Sequence, residues 1–151
     1  GQLPEINIKF WDRASFNKVI SQCYEKALSD IEVLQKSATA AYNDILNDNI
    51  GRRKTDNDIE PTLYDYVVHK IVNHLVTGEQ NFGDISVSEL YQDLIDFDKK
   101  NNYEDAAIYN EIQKLKHENS DDYELYFKNL EKIKSIFVKF KIQYRCVYAI
   151  S

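Results

Sequence analysis

The sequence has few residues that break or crosslink a chain. Its 151 residues include only 4 glycines and 2 prolines, and no methionine. This composition favours long helices with few tight turns. The two cysteines are Cys23 and Cys146. A chain of this length buries a substantial core without a disulfide or a metal. A single helical domain over residues 1–151 is therefore predicted, with free, buried thiols in a reducing cytoplasm.

Long apolar runs and strong charge are also missing. No stretch approaches the roughly 20 apolar residues of a membrane span, and no signal peptide is recognisable, so no membrane association is expected. The net charge is −6 and the sequence pI is near 5.1, which disfavours nucleic acid as a partner. Because 43% of the residues are hydrophobic, a disordered chain is disfavoured as well. The sequence therefore predicts a cytoplasmic globular protein.

The most regular pattern is an apolar stripe with gaps of three or four residues. Its members are Phe16, Ile20, Cys23, Ala27, Ile31, Leu34, Ala38, Ala41 and Ile45. This spacing keeps side chains on one face of a helix. It predicts a long N-terminal helix, about 45 Å from end to end, around which the other elements pack. A capping-box pattern at 29–32 leaves two shorter helices open as an alternative.

Four further helices are predicted from caps and helical periodicity, which makes about five in all. Their predicted starts are Pro61, Ser86, Tyr103 and Ser120. The polar residues 51–58 predict a loop. Lys99 and Lys100 suit the last turn of the third helix, which ends at Asn101. The break before the fourth helix is so short that the third and fourth helices should form an antiparallel hairpin.

Both ends of the chain show the alternation of apolar and polar residues that is typical of strands. The segments are 5–10 and 139–150, and the second is rich in aromatic and β-branched residues. We expect the two short strands to pair, which gives a mainly α fold with α+β character at its margins. An open edge of the C-terminal strand would also allow a homodimer.

One short segment resembles a known family. Residues 102–107, followed by Glu111 and Leu115, are similar to the UVR hairpin of the bacterial UvrB and UvrC repair proteins. That resemblance implies a small helix pair used for protein–protein contact. The arginine–aspartate pair of the family is replaced here by Tyr109 and Asn110. An ordinary helical hairpin, whose alanines allow close packing, is therefore the preferred interpretation.

The sequence contains no recognisable catalytic motif or glycine-rich phosphate loop. His69 and His74 are five residues apart, which differs from the spacing of zinc-binding pairs on helices. An alternative function is a metal-dependent hydrolase or nuclease of an unrecognised helical family that uses Asp56, Asp58, Glu60 and His69. No cofactor or metal is predicted for the preferred function.

Tyrosine is the last informative feature. The chain has 11 tyrosines, more than one core readily accommodates, and tyrosine is favoured in interfaces because it offers a large contact area with a polar tip. The sequence therefore predicts a non-catalytic acidic protein that binds and regulates or inhibits a protein partner, for example a bacterial immunity or antitoxin-like protein. A basic partner would suit its charge. The predicted partner-binding residues are Asp121, Asp122, Tyr123 and Tyr126.

Overall fold

The computed structural model describes residues 8–46, 54–78 and 86–137, and within these ranges the chain is mainly helical. The α-helices described are α1 Arg13–Leu28, α2 Ile31–Lys36, α3 Lys54–Ile59, α4 Leu63–Gly78, α5 Val87–Lys100, α6 Glu104–Glu118 and α7 Tyr123–Phe137. Short 3-10 helices occur at Ile8–Phe10 and Thr39–Tyr42. The prediction of a mainly α fold is confirmed.

The predicted long N-terminal helix is wrong, because it is broken into α1 and α2. Asp12 caps the start of α1, where its Oδ1 accepts from the backbone N–H of Ser15 at 2.8 Å. The hydroxyl of Ser29 donates to the carbonyl of Lys26 at 2.7 Å, and α1 ends there. The two shorter helices left open above are thus correct. The capping box is not formed, since the N-cap of α2 is Asp30, whose side chain makes no capping hydrogen bond.

The apolar stripe does not form the centre of the fold. No residue of α1 or α2 is buried, and Ile45 is 80% exposed. Cys23 is an exposed free thiol, so the prediction of a buried one is wrong. Of the stripe, the half-buried Leu34 does pack against the core, and so does Leu28, which lies outside the stripe. The hydrophobic core lies instead among the later helices.

Helices α4, α5 and α6 supply most of the buried apolar residues. The fully buried ones include Val68 and Ile71 on α4, Leu94 on α5 and Ile112 on α6. The contact between α5 and α6 is the most extensive in the described chain, and Ala106 and Ala107 on α6 are buried. These observations confirm the predicted helical hairpin.

Local signals fix both ends of α5. The predicted capping box is formed, with Glu89 N–H donating to Ser86 Oγ at 3.2 Å and Ser86 N–H donating to Glu89 Oε2 at 2.8 Å. At the other end Asn101 and Asn102 form the turn before α6. Asn102 has a φ of 60°, in the left-handed region that asparagine tolerates better than most residues. The turn is therefore tight enough to bring the two helices together.

The segment before α4 differs from its prediction. Residues 51–58 were expected in a loop, but 54–58 belong to helix α3, which packs against α6. Thr62, just before α4, forms an isolated antiparallel bridge with Ala38. Thr39 N–H donates to the Pro61 carbonyl at 3.0 Å, and Leu63 N–H donates to the Ser37 carbonyl at 2.9 Å. This bridge ties the end of α2 to the beginning of α4.

The described residues contain no β-strand. Ile8–Phe10 form a 3-10 helix, so the predicted N-terminal strand is wrong at those positions. The predicted C-terminal strand at 139–150 lies outside the described residues. That strand, its pairing and the homodimer that would use its edge stay predictions.

Candidate functional site

A groove lies where α4, α6 and α7 meet. Its volume is about 540 Å³, within the range of ligand- and side-chain-binding pockets. The lining residues are Val72, Asn73, Val76, Tyr91, Gln113, Lys116, His117, Asn119, Ser120, Tyr123, Tyr126 and Phe127. The groove is thus largely apolar and aromatic, with amide side chains along its walls.

The structure separates the four predicted partner-binding residues into two pairs. Tyr123 and Tyr126 line the groove, whereas Asp121 and Asp122 are exposed outside its lining. Asp122 has a structural role at the start of α7, because its Oδ1 accepts from the N–H of Leu125 at 3.0 Å. Ser120, which the sequence predicted as this cap, lines the groove instead. The aromatic half of the predicted site is therefore in one groove and the acidic half lies beside it.

The aromatic residues of the groove differ greatly in exposure. Tyr123 is 72% exposed and Phe127 is 58% exposed. Tyr126 is buried, and the rings of Tyr126 and Phe127 pack edge to face with centroids 5.5 Å apart. Burial raises the pKa of Tyr126. Its hydroxyl is buried and has no hydrogen-bond partner among the described residues. A buried hydroxyl of this kind can bond to a group that enters from outside.

Charges of both signs surround this groove. Lys116 and His117 at the end of α6 belong to its lining, whereas no acidic residue among the described ones does. Asp121, Asp122 and Glu124, around the start of α7, are all exposed. The surface therefore carries a basic wall within the groove and an acidic strip next to it.

A second cluster of polar residues lies inside the fold, between α4, α5 and α6. His69 Nδ1 is 2.8 Å from Glu60 Oε1, and His69 Nε2 is 2.7 Å from Asn110 Oδ1. Asn110 Nδ2 donates to Asp98 Oδ2 at 2.9 Å. Because the amide nitrogen serves Asp98, the amide oxygen accepts from Nε2 of the imidazole. Asn110 and Asp98 are both fully buried.

Asp65 completes this network, which we call the carboxyl network: Glu60, Thr62, Asp65, His69, Asp98 and Asn110. The N–H of Thr62 donates to Asp65 Oδ2 at 3.0 Å, and the Thr62 hydroxyl donates to the same oxygen. Asp65 is fully buried, and its carboxyl group lies beside that of Asp98 and interacts with it electrostatically. The network thus runs from the partly exposed Glu60 to the centre of the core.

Burial changes the acidity of the two aspartates. Removal from water raises the pKa of Asp98 to about 9, and the neighbouring Asp65 adds to the rise. Removal from water also raises the pKa of Asp65, against which the hydrogen bonds from Thr62 act in the lowering direction. Both shifts have the same main physical origin, since burial disfavours the charged form of a carboxyl group.

The residues of the alternative metal site are only partly brought together. Glu60 contacts His69, but both ring nitrogens of His69 already have hydrogen-bond partners. Asp58 is exposed and lies near Asp105, whose pKa is raised by burial and then by the charge of Asp58. Among the described residues no group of three or more histidine, cysteine, aspartate or glutamate side chains is placed to hold a metal ion.

Sequence reasoning missed most of the carboxyl network. Glu60 and His69 were named for the alternative metal site. A signal for the buried part was Asp98, which lies four residues after Leu94 and so continues the apolar face of α5. A polar residue at such a position is either a solvated edge of the helix or a buried group with a partner. The pattern alone does not distinguish these two cases.

No helix in the described ranges is long and apolar enough to cross a membrane. Comparison with protein-family models, with curated protein sequences and with solved structures finds no match to this chain.

Proposed function

We propose that this chain is a non-catalytic acidic helical protein that binds a protein partner and regulates or inhibits it, in the manner of an immunity or antitoxin-like protein. The observation that carries the proposal is the groove between α4, α6 and α7, with Tyr123 and Phe127 exposed at its edge. Exposed aromatic side chains beside a groove are the usual anchors of protein interfaces.

The surrounding charges support the same function. Asp121, Asp122 and Glu124 are exposed beside Tyr123, so a partner with a basic surface would be attracted to this end of the molecule. Such attraction speeds association and falls as salt is added. Asp121, Asp122, Tyr123 and Tyr126 thus stay the proposed partner-binding residues, to which the groove adds Phe127.

Site-specific photo-crosslinking tests the proposal in cells of the native host. A photoreactive phenylalanine analogue replaces Tyr123 in one variant and Val33 in a control variant. Val33 is 62% exposed on α2, far in sequence from the groove. We expect the Tyr123 position, and not the Val33 position, to crosslink one defined protein that mass spectrometry identifies. Equal crosslinking from both positions, or none from Tyr123, would contradict the proposal.

Binding measurements then test the aromatic anchors on the purified complex. Truncation of a central interface aromatic costs about 2 kcal/mol or more, which weakens binding roughly 30-fold. We expect this loss for Tyr123→Ala and for Phe127→Ala. Calorimetry with the purified partner that the crosslinking experiment identifies measures it. Val33→Ala is the matched control and should leave the affinity unchanged.

The alternative of a metal-dependent hydrolase makes a different prediction. An ion bound through Asp56, Asp58, Glu60 or His69 would raise the melting temperature as its concentration rises. The binding function predicts no such change. A thermal-shift series with magnesium, manganese, calcium and zinc separates the two, and a dose-dependent rise with any of them would favour the enzyme.

A further inference from the structure

Two buried oxygen atoms of the carboxyl network have no donor. They are Oδ1 of Asp65 and Oδ1 of Asp98, neither of which has a hydrogen-bond partner among the described residues when both groups are ionised. The two carboxyl groups lie within reach of each other, so that one bound proton would join them by a hydrogen bond. A hydrogen bond between two carboxyl groups requires one proton, because an ionised carboxylate only accepts.

The other oxygens of the pair are already occupied. Asp65 Oδ2 accepts from the N–H and the hydroxyl of Thr62, and Asp98 Oδ2 accepts from Asn110. Each Oδ1 is therefore left for the neighbouring aspartate. One proton placed between them satisfies both buried oxygens at once, whereas no proton leaves two unpartnered acceptors and two like charges in the core.

We propose that Asp65 and Asp98 share one proton at neutral pH. The hydrogen bond that this proton makes holds α4 against α5. Release of the proton therefore opens the contact between α4 and the α5–α6 hairpin. The inference is independent of the proposed partner-binding function. The carboxyl pair joins residues of two different helices, and both are fully buried. Loss of the shared proton acts on the contact between these helices rather than on either helix alone.

The titratable neighbours of the pair do not remove the need for this proton. On α4, Tyr64 packs near both aspartates, and burial raises its pKa to about 12, so it stays neutral. His69 exerts a favourable electrostatic effect on Asp65, but its hydrogen bonds go to Glu60 and Asn110. From α6 the amide of Asn110, which is neutral, donates to Asp98.

The direction of the pH effect follows from the raised pKa values. An unfolded aspartate loses its proton at a pH of about 4, whereas burial and the nearby Asp65 raise the pKa of Asp98 to about 9. Between these limits the folded protein holds a proton that the unfolded chain has released. The unfolding equilibrium constant therefore rises with pH, by as much as about tenfold per pH unit.

The consequence extends beyond the pair itself. Thr62, which bonds to Asp65, also forms the bridge to Ala38 at the end of α2. Opening of the junction therefore frees the first turn of α4 and the chain that leaves α2. Amide exchange should increase there with pH beyond its chemical pH dependence, while the start of α5 at Ser86 and Glu89 stays protected.

The first test uses the wild-type protein and needs no substitution. Carbon-13 NMR of aspartate-labelled protein follows each side-chain carboxyl as the pH is raised. We expect one proton of the pair to remain bound above pH 7, whereas the exposed Asp96 on α5 serves as an internal control. Ionisation of both Asp65 and Asp98 at an ordinary aspartate pH would overturn the proposal.

The second test replaces the shared proton by an amide. In Asp98→Asn or Asp65→Asn the new side chain donates to the remaining carboxylate, so each single variant should change the unfolding equilibrium constant by less than about tenfold at pH 7. In the double variant the two side-chain amide N–H groups face each other, and neither has an acceptor. It should unfold about ten- to a hundredfold more readily than the product of the single effects predicts.

Chemical denaturation of the four proteins at pH 7 gives this comparison, with Asp96→Asn as the exposed control. Each single variant should also show a weaker rise of the unfolding constant with pH than the wild type does. Additive effects in the double variant, or an unchanged pH dependence in both single variants, would overturn the proposal. If the double variant does not fold, the wild-type titration and the single variants decide alone.

Discussion

Asn110 on α6 donates its side-chain amide hydrogen to Asp98 on α5, with 2.9 Å between Nδ2 and Oδ2. The oxygen of the same amide lies 2.7 Å from Nε2 of His69 on α4. One fully buried side chain thus connects three helices. The side chain of Asn110 thus acts as hydrogen-bond donor and acceptor at the same time.

Truncation of Asn110 should therefore destabilise the whole core. We expect Asn110→Ala to lower the free energy of unfolding by about 2–4 kcal/mol, because Asp98 and His69 are left buried without this partner. Urea denaturation measures the change. Asn73→Ala, at an exposed position on α4, is the matched control and should cost less than about 0.5 kcal/mol. A loss of similar size in both variants would contradict the role given to the network.

Alkaline pH should act on two core tyrosines. Burial raises the pKa of both Tyr64 and Tyr91 to about 12. Because the folded-state values lie above the ordinary value of 10.0, the unfolded chain loses these protons first, and stability falls as the pH rises from about 10 towards 12.

Ultraviolet titration of the phenolates tests this expectation, with circular dichroism recorded on the same samples. Tyr64 and Tyr91 should ionise only as the protein unfolds. Tyr91→Phe is expected to remove one late-ionising group. Complete ionisation of all tyrosines in a protein that retains its helical signal would contradict the burial of these hydroxyls.

Asp122 and Ser120 are the two candidates for the N-cap of α7, and their substitution distinguishes them. Asp122→Ala should cost about 1 kcal/mol, because the N–H of Leu125 loses the carboxylate that accepts its hydrogen bond. Ser120→Ala should be nearly neutral, although the sequence pattern favoured Ser120 as the cap. Thermal denaturation of the two variants decides the question, and a larger loss for Ser120→Ala would place the beginning of the helix differently.

Replacement of His69 should separate its role in the network from a role as a metal ligand. His69→Gln keeps a side chain that can bond to Glu60 or Asn110, so we expect a loss of roughly 1–2 kcal/mol in the free energy of unfolding. The loss should be the same with and without added zinc, as measured by urea denaturation. A stabilisation by zinc that is present in the wild type and absent from His69→Gln would identify the histidine as a ligand.

Signals that lie within a few residues of each other were read correctly from the sequence. The capping box of Ser86 and Glu89 and the turn at Asn101 and Asn102 each depend on neighbouring residues, so α5 and the hairpin were predicted with nearly correct bounds. The break at Ser29 was left as an alternative, because the apolar spacing continues across it while the serine hydroxyl ends the helix locally.

Features that depend on distant parts of the chain were not predicted. Asp98 looks like an ordinary polar residue of an amphipathic helix until Asp65 is known to lie against it. Tyr123 and Tyr126 were proposed for partner binding on composition. That they line a groove, and that Asp121 does not, depends on residues from the ends of α4 and α6, which complete its walls. The helix at 54–59 was missed because its polar sequence shows no apolar face, and its position depends on contact with α6.

The tight turn at Asn102 has a consequence for the order in which the chain folds. It closes α5 on α6 over a very short loop, so the entropy lost on forming this contact is small and the hairpin should form early. The contact of Asp65 with Asp98 joins residues 33 positions apart and has to wait for α4 to arrive. The hairpin therefore already contains Asp98 and Asn110 before α4 docks. The docking of α4 brings Asp65 against Asp98 and so determines whether the pair of carboxyl groups holds a proton.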